Sequence, residues 1–268
     1  MNIPYDPQQV HLLLEQILAA GASIELMVER LRELKEVLHA SIPEKQRQSR
    51  GITWVVQTIS ELLIENSPPG ARIKDLALRF YEHIAPGDLL VGVPIFLMAK
   101  VGCDHVEEVF DFYAEVAAAD VWVVREFGAA AFRQSITPNR ADVQPWLKQM
   151  ATQRDPNQRR FASETLRPVT VLKWVQEEPA YSLGVLRLLF HEAHPYPRTS
   201  VGNNLSDLSR RNPELIYALV QELVESGDKN SYWIAHRACR NLVKKDPGRV
   251  MDILQTNEYR YKDRQYQK

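Results

Sequence analysis

The sequence has few cysteines, no long apolar run and no glycine-rich phosphate loop, and each shortage excludes a class of protein. Two cysteines among 268 residues, Cys103 and Cys239, are too few for a disulfide framework or a cysteine-based zinc site. The longest apolar run, at residues 89–99, contains Pro94 and is too short to cross a bilayer. The first residues lack the basic stretch and apolar core of a secretory signal. These absences predict a soluble cytoplasmic protein.

Charge is nearly balanced over the whole chain, with 33 basic and 34 acidic residues, but it is unevenly distributed. Residues 1–124 contain 10 basic and 18 acidic residues, a net charge of −8, whereas residues 125–268 contain 23 and 16, a net charge of +7. Such asymmetry indicates one part of the protein that is suited to a polyanion. It can also arise from fluctuation along an ordinary soluble chain, and both interpretations stay open.

Apolar residues recur with the 3.6-residue period of an α-helix along nearly the whole chain, and no segment alternates as a strand does. Residues 41–51 are polar and are predicted to form a connection, and the polar tail from Thr256 is predicted to be poorly ordered. The predicted helices cover residues 10–18, 24–38, 52–64, 73–84, 89–100, 106–118, 121–132, 145–151, 156–166, 179–190, 197–209, 213–224, 232–244 and 247–254.

A repeat of 34 residues separates Pro179, Pro213 and Pro247. The four residues that end at Pro213, Arg-Arg-Asn-Pro, are matched by Lys-Lys-Asp-Pro ending at Pro247. A fixed period of this size is typical of stacked helix pairs that are too small to bury their apolar faces alone. The sequence therefore predicts an all-α fold, a curved α-solenoid of stacked antiparallel helix pairs of the HEAT-like or ARM-like kind. We expect a single domain over residues 1–268, with acidic N-terminal helices at 1–104, repeats at 105–255 and a tail at 256–268.

Polar residues form a stripe on one of the predicted helices. Ser200, Asn204, Asp207 and Arg211 share one helical face, beside an apolar face that is suited to a core. This pattern fits an inner helix that faces a ligand, and it equally fits an ordinary solvated face.

Three stretches of the C-terminal half resemble the bacterial alkylpurine DNA glycosylases with HEAT-like repeats, and specifically the AlkC branch of the AlkC/AlkD superfamily. The resemblance covers roughly residues 105–255, and its motifs follow one another in the family's order. They are Arg159-Arg160-Phe161-Ala162-Ser163-Glu164-Thr165-Leu166-Arg167-Pro168, Ser200-Val201-Gly202-Asn203-Asn204-Leu205-Ser206-Asp207, and Trp233-Ile234-Ala235-His236-Arg237-Ala238-Cys239-Arg240. The chain departs from the family's pattern at Arg125, which replaces a small hydroxyl residue, and at Gly202, which replaces alanine.

The resemblance implies a monomeric bacterial DNA-repair enzyme, associated with the nucleoid, that acts on double-stranded DNA carrying alkylated bases such as 3-methyladenine and needs no cofactor or metal. It places catalytic functions on Asp207, Glu164, Glu126 and Trp174. Asp207 is expected next to the sugar, where a carboxylate stabilises the oxocarbenium-like transition state of N-glycosidic cleavage and positions water. The basic residues expected to hold DNA phosphates are Arg159, Arg160, Arg167, Arg198, Arg210, Arg211, Lys244 and Lys245.

Plainer interpretations of the same residues stay open. Glu164 and Arg167 are spaced to pair with each other on a helix. Asp207 can bind an arginine of a neighbouring repeat, and Trp174 can be a packing residue. Two other functions are also compatible with the sequence: a relative that binds distorted or branched DNA without catalysis, and a HEAT scaffold that binds proteins through its acidic half.

Overall fold

A computed structural model describes residues 5–267, with the side chains of residues 46–50 excepted. Residues 1–4, part of the N-terminal segment predicted to lack a secretory signal, and Lys268 of the predicted tail lie outside the described residues. The chain is 73% helical with almost no strand, which confirms the all-α prediction. No helix in the described part is long and apolar enough to cross a membrane. The chain divides into two compact units, residues 1–138 and residues 139–268.

The first unit has its core around a helix that is buried on nearly every side. This helix, α5 (Gly92–Asp104), packs against the helices Glu44–Asn66, Ile73–His83 and Trp122–Ile136. All of its residues from Gly92 to Ala99 are buried. Its uniform apolar character explains why it has no solvent-facing stripe. The helices of the unit are α1 (Pro7–Leu18), α2 (Ile24–Ser41), α3 (Glu44–Asn66), α4 (Ile73–His83), α5, α6 (Phe110–Ala118) and α7 (Trp122–Ile136), with 3₁₀ turns at Leu89–Val91 and Val106–Val109.

The polar connection predicted for residues 41–51 is wrong for most of its length. Helix α3 begins at Glu44, seven residues before Gly51, and continues to Asn66. Gly51 interrupts the helical backbone with φ +34° and ψ −163°, a conformation that glycine tolerates because it has no Cβ. The polar composition of this segment therefore marks a kinked helix rather than a loop.

The second unit is a stack of helical repeats. Its helices are α8 (Arg140–Ala151), α9 (Pro156–Glu164), α10 (Pro179–Leu186), α11 (Pro195–Leu208), α12 (Pro213–Glu225), α13 (Lys229–Ala238) and α14 (Pro247–Ile253), with 3₁₀ helices at Thr170–Gln176, Arg187–Leu189 and Leu242–Lys244. Helices α9, α11 and α13 pack against one another in succession, while α8 packs against α10 and α12 packs against α14.

The 34-residue period corresponds to helices that begin at equivalent positions of consecutive repeats. Pro179, Pro213 and Pro247 each occupy the first turn of a helix, at the start of α10, α12 and α14. Proline suits this position because a helix leaves its first N–H groups unpaired and the ring presets φ. The three prolines therefore open equivalent helices of consecutive repeats, as predicted.

Ion pairs at the repeat spacing connect neighbouring helices on the α10, α12 and α14 side. Arg187 donates to Glu222 at 2.6 Å, and Arg249 donates to Glu214 at 2.7 Å. Both pairs are solvent-exposed, so they contribute little to stability. Each pair joins helices of consecutive repeats, at a different position within the repeat.

The C-terminal tail is ordered, and the prediction of a poorly ordered segment is wrong. Residues 258–267 form an antiparallel hairpin of β1 (Glu258–Tyr261) and β2 (Arg264–Gln267). Its anchor is Tyr259, which is fully buried, stacks on the His236 ring at a centroid distance of 4.3 Å, and donates its hydroxyl to the His236 carbonyl at 2.8 Å. One buried aromatic residue fixes a segment whose composition is otherwise polar.

Candidate nucleic-acid interface and acid pair

Two of the predicted catalytic acids are connected by a single guanidinium group in the second unit. Asp207, at the C-terminal end of α11, accepts from Arg167 Nε at 3.1 Å and from Arg167 Nη2. Glu164, at the end of α9, lies with its Oε1 3.3 Å from Arg167 Nη1. Burial opposes the charge of Arg167, yet its hydrogen bond to Asp207 and the charges of both acids raise the pKa of its guanidinium above the ordinary value. The structure therefore brings Glu164 and Asp207 together through Arg167.

Further arginines surround the Asp207 carboxylate. Arg240, on the turn after α13, donates to Asp207 Oδ1 at 3.0 Å, and Arg210 approaches the same oxygen at 3.5 Å. Asp207 itself is 8% exposed, and the side chain of Arg210 is 64% exposed. Arg210 is thus the contact of Asp207 that can move into solvent with the least rearrangement.

Glu164 is held from the polar stripe of α11. Ser200 Oγ donates to Glu164 Oε2 at 2.7 Å, and Arg160 Nη2 lies 3.6 Å from the same oxygen. Asn204 Nδ2 donates to the Ser163 carbonyl at 2.9 Å. Ser200, Asn204 and Asp207 are all buried, so the solvated-face interpretation is wrong for these three residues. Arg211, the fourth residue of the predicted stripe, lies beyond the end of α11 and is exposed, so its predicted place on the same helical face is wrong. The stripe faces α9 and supports the acid pair.

Two arginines of α13 and its following turn complete the cluster. Arg237 Nε and Arg240 Nη1 both donate to Asn203 Oδ1 at 2.9 Å. The Arg237 stem lies directly over Gly202, where an added Cβ would be 2.9 Å from Arg237 Cβ. Burial first, and then the charges of Arg240 and Arg167, lower the pKa of Arg237 below its ordinary value. Gly202 therefore leaves room for the aliphatic stem of Arg237.

We call this group the arginine cluster, and its members are Arg160, Arg167, Arg210, Arg237 and Arg240. The guanidinium groups of Arg160, Arg167, Arg210 and Arg240 contact Glu164 or Asp207, and Arg237 joins them through Asn203, which it shares with Arg240. The local charge is therefore positive, although two acids lie at its centre. Sequence reasoning missed Arg237 and Arg240 as site residues, and the signal that could have found them is their three-residue spacing, which directs both side chains toward α11.

Trp174 contacts a different set of residues. It lies on the 3₁₀ helix Thr170–Gln176, is half-buried, and packs edge-on against Tyr181 at a centroid distance of 5.1 Å. The Arg140 guanidinium lies 3.5 Å from the centroid of its ring and is bound by Glu178 at 3.2 Å. One face of the Trp174 ring is therefore covered by a cation of the protein itself.

Glu126 belongs to the first unit. It lies on α7 and is half-buried. The preceding residue, Arg125, donates to the carbonyls of Ala119 and Asp120 in the turn between α6 and α7, at 2.5 and 2.8 Å. Arg125 therefore has a structural role that explains its presence beside Glu126. The contribution of Glu126 to a common site stays a prediction.

The eight basic residues predicted to hold DNA fall into two groups. Arg159, Arg160, Arg167 and Arg198 are bound within the unit; Arg198, for example, donates to Asn230 at 2.7 Å and lies over the Trp233 ring at 4.6 Å. The other four are exposed and lie after α11 and at the end of the 3₁₀ helix Leu242–Lys244, at matching positions of consecutive repeats. We call these four residues the basic edge: Arg210, Arg211, Lys244 and Lys245.

Arg159 is held by interactions that favour a structural role. It pairs with Glu192 at 2.6 Å and donates to the carbonyls of Gln153 and Arg154. Because the Glu192 side chain is only 6% exposed, Arg159→Leu leaves a buried carboxylate without its cation. We expect this change to lower the free energy of unfolding at pH 7 by about 3–5 kcal/mol, measured by urea denaturation. Its salt-dependent DNA binding should equal that of wild type.

The same pair predicts a pH dependence. Burial would raise the pKa of Glu192, but hydrogen bonds from Arg159 and the His194 N–H, with the charge of Arg159, lower it overall. A lowered pKa means that this part of the stability is present above the unfolded value of 4.5 and is lost as the pH falls through the folded value. Wild type should therefore lose more stability than Arg159→Leu between pH 6 and pH 3. An equal loss in both proteins would contradict the assignment.

The fold of this chain is similar to those of two solved structures. The chain superposes on the Pseudomonas fluorescens alkylpurine DNA glycosylase AlkC, bound to DNA containing an abasic site analogue, with a TM-score of 0.51 and 20% identity over 93% of this chain and 66% of that one. It superposes on AlkD2 from Streptococcus mutans with a TM-score of 0.61 and 21% identity over 81% of this chain and 98% of that one. The chain therefore has the helical-repeat fold of the AlkC and AlkD2 proteins, which confirms the resemblance at the level of the fold.

A sequence match adds a curated relative. The chain is 32% identical over 102 residues to the uncharacterized protein YhaZ of Bacillus subtilis strain 168, covering 36% of this chain and 28% of YhaZ. The chain thus spans about a quarter of YhaZ and about two thirds of AlkC. No protein-family profile matches the chain.

Proposed function

We propose that this protein binds duplex DNA and hydrolyses the N-glycosidic bond of cationic alkylated bases such as 3-methyladenine. The observation that carries the proposal is the acid pair of Glu164 and Asp207, which two of the three motifs supply and which Arg167 joins. Support also comes from the fold, which resembles that of AlkC, a DNA glycosylase solved with DNA. The proposal needs no metal or cofactor.

The proposed chemistry uses the charge that alkylation gives to the base. When the bond from C1′ to the ring nitrogen breaks, its electron pair goes to the base, which leaves neutral, and positive charge develops on the sugar. Asp207 stabilises that charge and orients a water molecule, whose oxygen bonds to C1′ while its proton is released. Because alkylation already activates the leaving base, the reaction needs no general acid to protonate it, and one well-placed carboxylate is sufficient.

In the proposed mechanism, the arginine cluster offsets the repulsion between the catalytic carboxylates and the DNA phosphates. Carboxylates repel the DNA backbone, whereas guanidinium groups bind its phosphates. In the free protein, Asp207 is occupied by Arg167, Arg210 and Arg240. We propose that a phosphate attracts the exposed Arg210 away from Asp207 Oδ1, which leaves this oxygen with the Arg240 contact alone and opens the side on which Arg210 lay to the sugar. DNA binding and activation of the acid are then coupled.

Trp174 is proposed to lie against the cationic nucleotide. An aromatic ring attracts a cation by about 0.5–2 kcal/mol, which corresponds to a factor of about 2–30 in rate. We expect Trp174→Ala to lower single-turnover release of 3-methyladenine by that factor. Trp174→Phe, which keeps a ring, should retain most of the rate.

Arg140→Ala provides the matched control for Trp174, because it removes the guanidinium that covers the ring and leaves the ring in place. If Trp174 contacts the base, this variant should not lose activity. Equal loss in Arg140→Ala and Trp174→Ala would show that the Arg140–Trp174 contact matters only for packing.

The proposed function is tested by chromatography of the bases released from DNA treated with a methylating agent. We expect 3-methyladenine in the supernatant, with an abasic site left in the strand. Salt-dependent binding to a duplex, measured in parallel, separates DNA binding from catalysis, because phosphate contacts weaken steeply with salt. DNA binding without base release would overturn the enzymatic part of the proposal.

A second candidate function is a non-catalytic protein that binds distorted or branched DNA. Two observations favour it: Asp207 is held by arginines, and Arg140 covers one face of Trp174. In this case the arginine cluster binds phosphates and its acids serve only to hold the guanidinium groups in place. The expected result is tighter binding to a four-way junction than to a linear duplex, with no released base.

A further inference from the structure

The C-terminal hairpin carries basic residues next to the basic edge. Cross-strand pairing places Tyr259 opposite Tyr266 and Tyr261 opposite Arg264 on one face of the hairpin. The opposite face carries Arg260, which is paired with Gln265. Tyr259 is buried against α13, so the face that contains Arg264 is the one turned toward the helical repeats.

The turn of this hairpin lies next to the last position of the basic edge. Lys244, Tyr261, Lys262, Asp263 and Arg264 together line a cavity of about 320 Å³. Three of these side chains are cationic and one is anionic, so the cavity has an excess of positive charge. Lys262, Asp263 and Arg264 are exposed, and Lys262 has φ +54°, the left-handed backbone conformation of a tight turn.

The hairpin is also connected to the acid pair. Burial alone would raise the pKa of Tyr261, but the neighbouring guanidinium groups of Arg240 and Arg237 lower it overall. Arg240 in turn donates to Asp207 at 3.0 Å. A ligand bound at the hairpin turn would therefore lie close to the arginines that hold Asp207.

We infer that the hairpin turn is a second DNA contact, in which Lys262 and Arg264 bind the phosphate backbone and extend the basic edge beyond Lys244. The occupant is a DNA phosphate because the lining is cationic and exposed, and because the cavity continues the row formed by Arg210, Arg211, Lys244 and Lys245. This inference rests on the proposed DNA-binding function.

The test compares Lys262→Ala/Arg264→Ala with Arg260→Ala in the full chain, using an undamaged duplex of about 20 base pairs. Each lost phosphate contact reduces the slope of log K against log salt by about 0.9. We expect the double variant to reduce the slope by about 1–2 and Arg260→Ala, on the opposite hairpin face, to leave it unchanged. Tyr259 is kept in both variants, so the hairpin stays anchored, and thermal unfolding checks this.

The outcomes separate the two proposals. If wild type does not bind the duplex, the proposed function fails. If wild type binds and Lys262→Ala/Arg264→Ala binds with the same slope, DNA binding stands and the hairpin contact is overturned. If Arg260→Ala reduces the slope as much as the double variant, the contact is not confined to the inferred face and the inference is overturned as well.

Discussion

Replacing Asp207 with asparagine should reduce single-turnover release of 3-methyladenine by about 10²–10⁴-fold. The amide keeps the shape and one acceptor oxygen but removes the negative charge that stabilises the sugar cation. DNA affinity should stay equal or rise slightly, because a carboxylate that repels phosphates is gone, Arg240 loses its anion and Arg167 keeps only Glu164. The measurement is base release at saturating enzyme, with duplex binding measured on the same preparations.

Glu192→Gln is the matched control for this prediction. Glu192 is also a buried acid held by an arginine, but it lies before the N-terminus of α11, whereas Asp207 lies at the C-terminal end. Both variants leave guanidinium groups without a counter-charge and should lower thermal stability. Only Asp207→Asn should lower the rate of base release by folded protein. Equal rates in Asp207→Asn and wild type would remove Asp207 from the mechanism.

Removal of the basic edge should produce the largest loss of DNA binding. The variant replaces all four residues with alanine: Arg210→Ala/Arg211→Ala/Lys244→Ala/Lys245→Ala. Each lost phosphate contact reduces the slope of log K against log salt by about 0.9, so the total reduction is up to about 3.6. These side chains are exposed, so the fold should tolerate their replacement. The measurement is duplex binding by fluorescence anisotropy between 50 and 200 mM salt.

The matched control removes four basic residues of the acidic first unit, all of them ion-paired at the surface: Arg32, Arg72, Lys74 and Lys100. It makes the same change in net charge as the basic-edge variant. If DNA binding depended on net charge alone, both variants would weaken equally. We expect the control to retain the wild-type slope, and an equal loss in both would contradict the assignment of the basic edge.

Much of the fold could be predicted from the sequence because its repeats are encoded locally. Apolar periodicity marks the helices, and a proline at each repeat start marks the first turn of a helix. The hairpin escaped prediction because its order depends on contacts that are distant in the sequence, above all that of Tyr259 with His236, within an otherwise polar segment. The kinked start of α3 escaped for a related reason, since polar residues are compatible with both helix and loop.

The candidate site was predicted unevenly. The motifs gave Glu164 and Asp207, and the structure joins them through Arg167. Sequence could not separate Arg159, which is bound to a buried acid, from Arg210, which is exposed, because the residue type is the same and only packing distinguishes their environments. The common cleft predicted for Glu126 and the other three catalytic residues stays a prediction.

The most direct test of the proposed function is the rate at which wild-type protein releases 3-methyladenine from duplex DNA under single-turnover conditions, compared with spontaneous release and with Asp207→Asn. The proposal predicts release by wild type well above the spontaneous rate and a reduction of at least about 10² in the variant. Release by wild type at the spontaneous rate, in a preparation that binds the same duplex, would contradict it and would favour the non-catalytic DNA-binding protein.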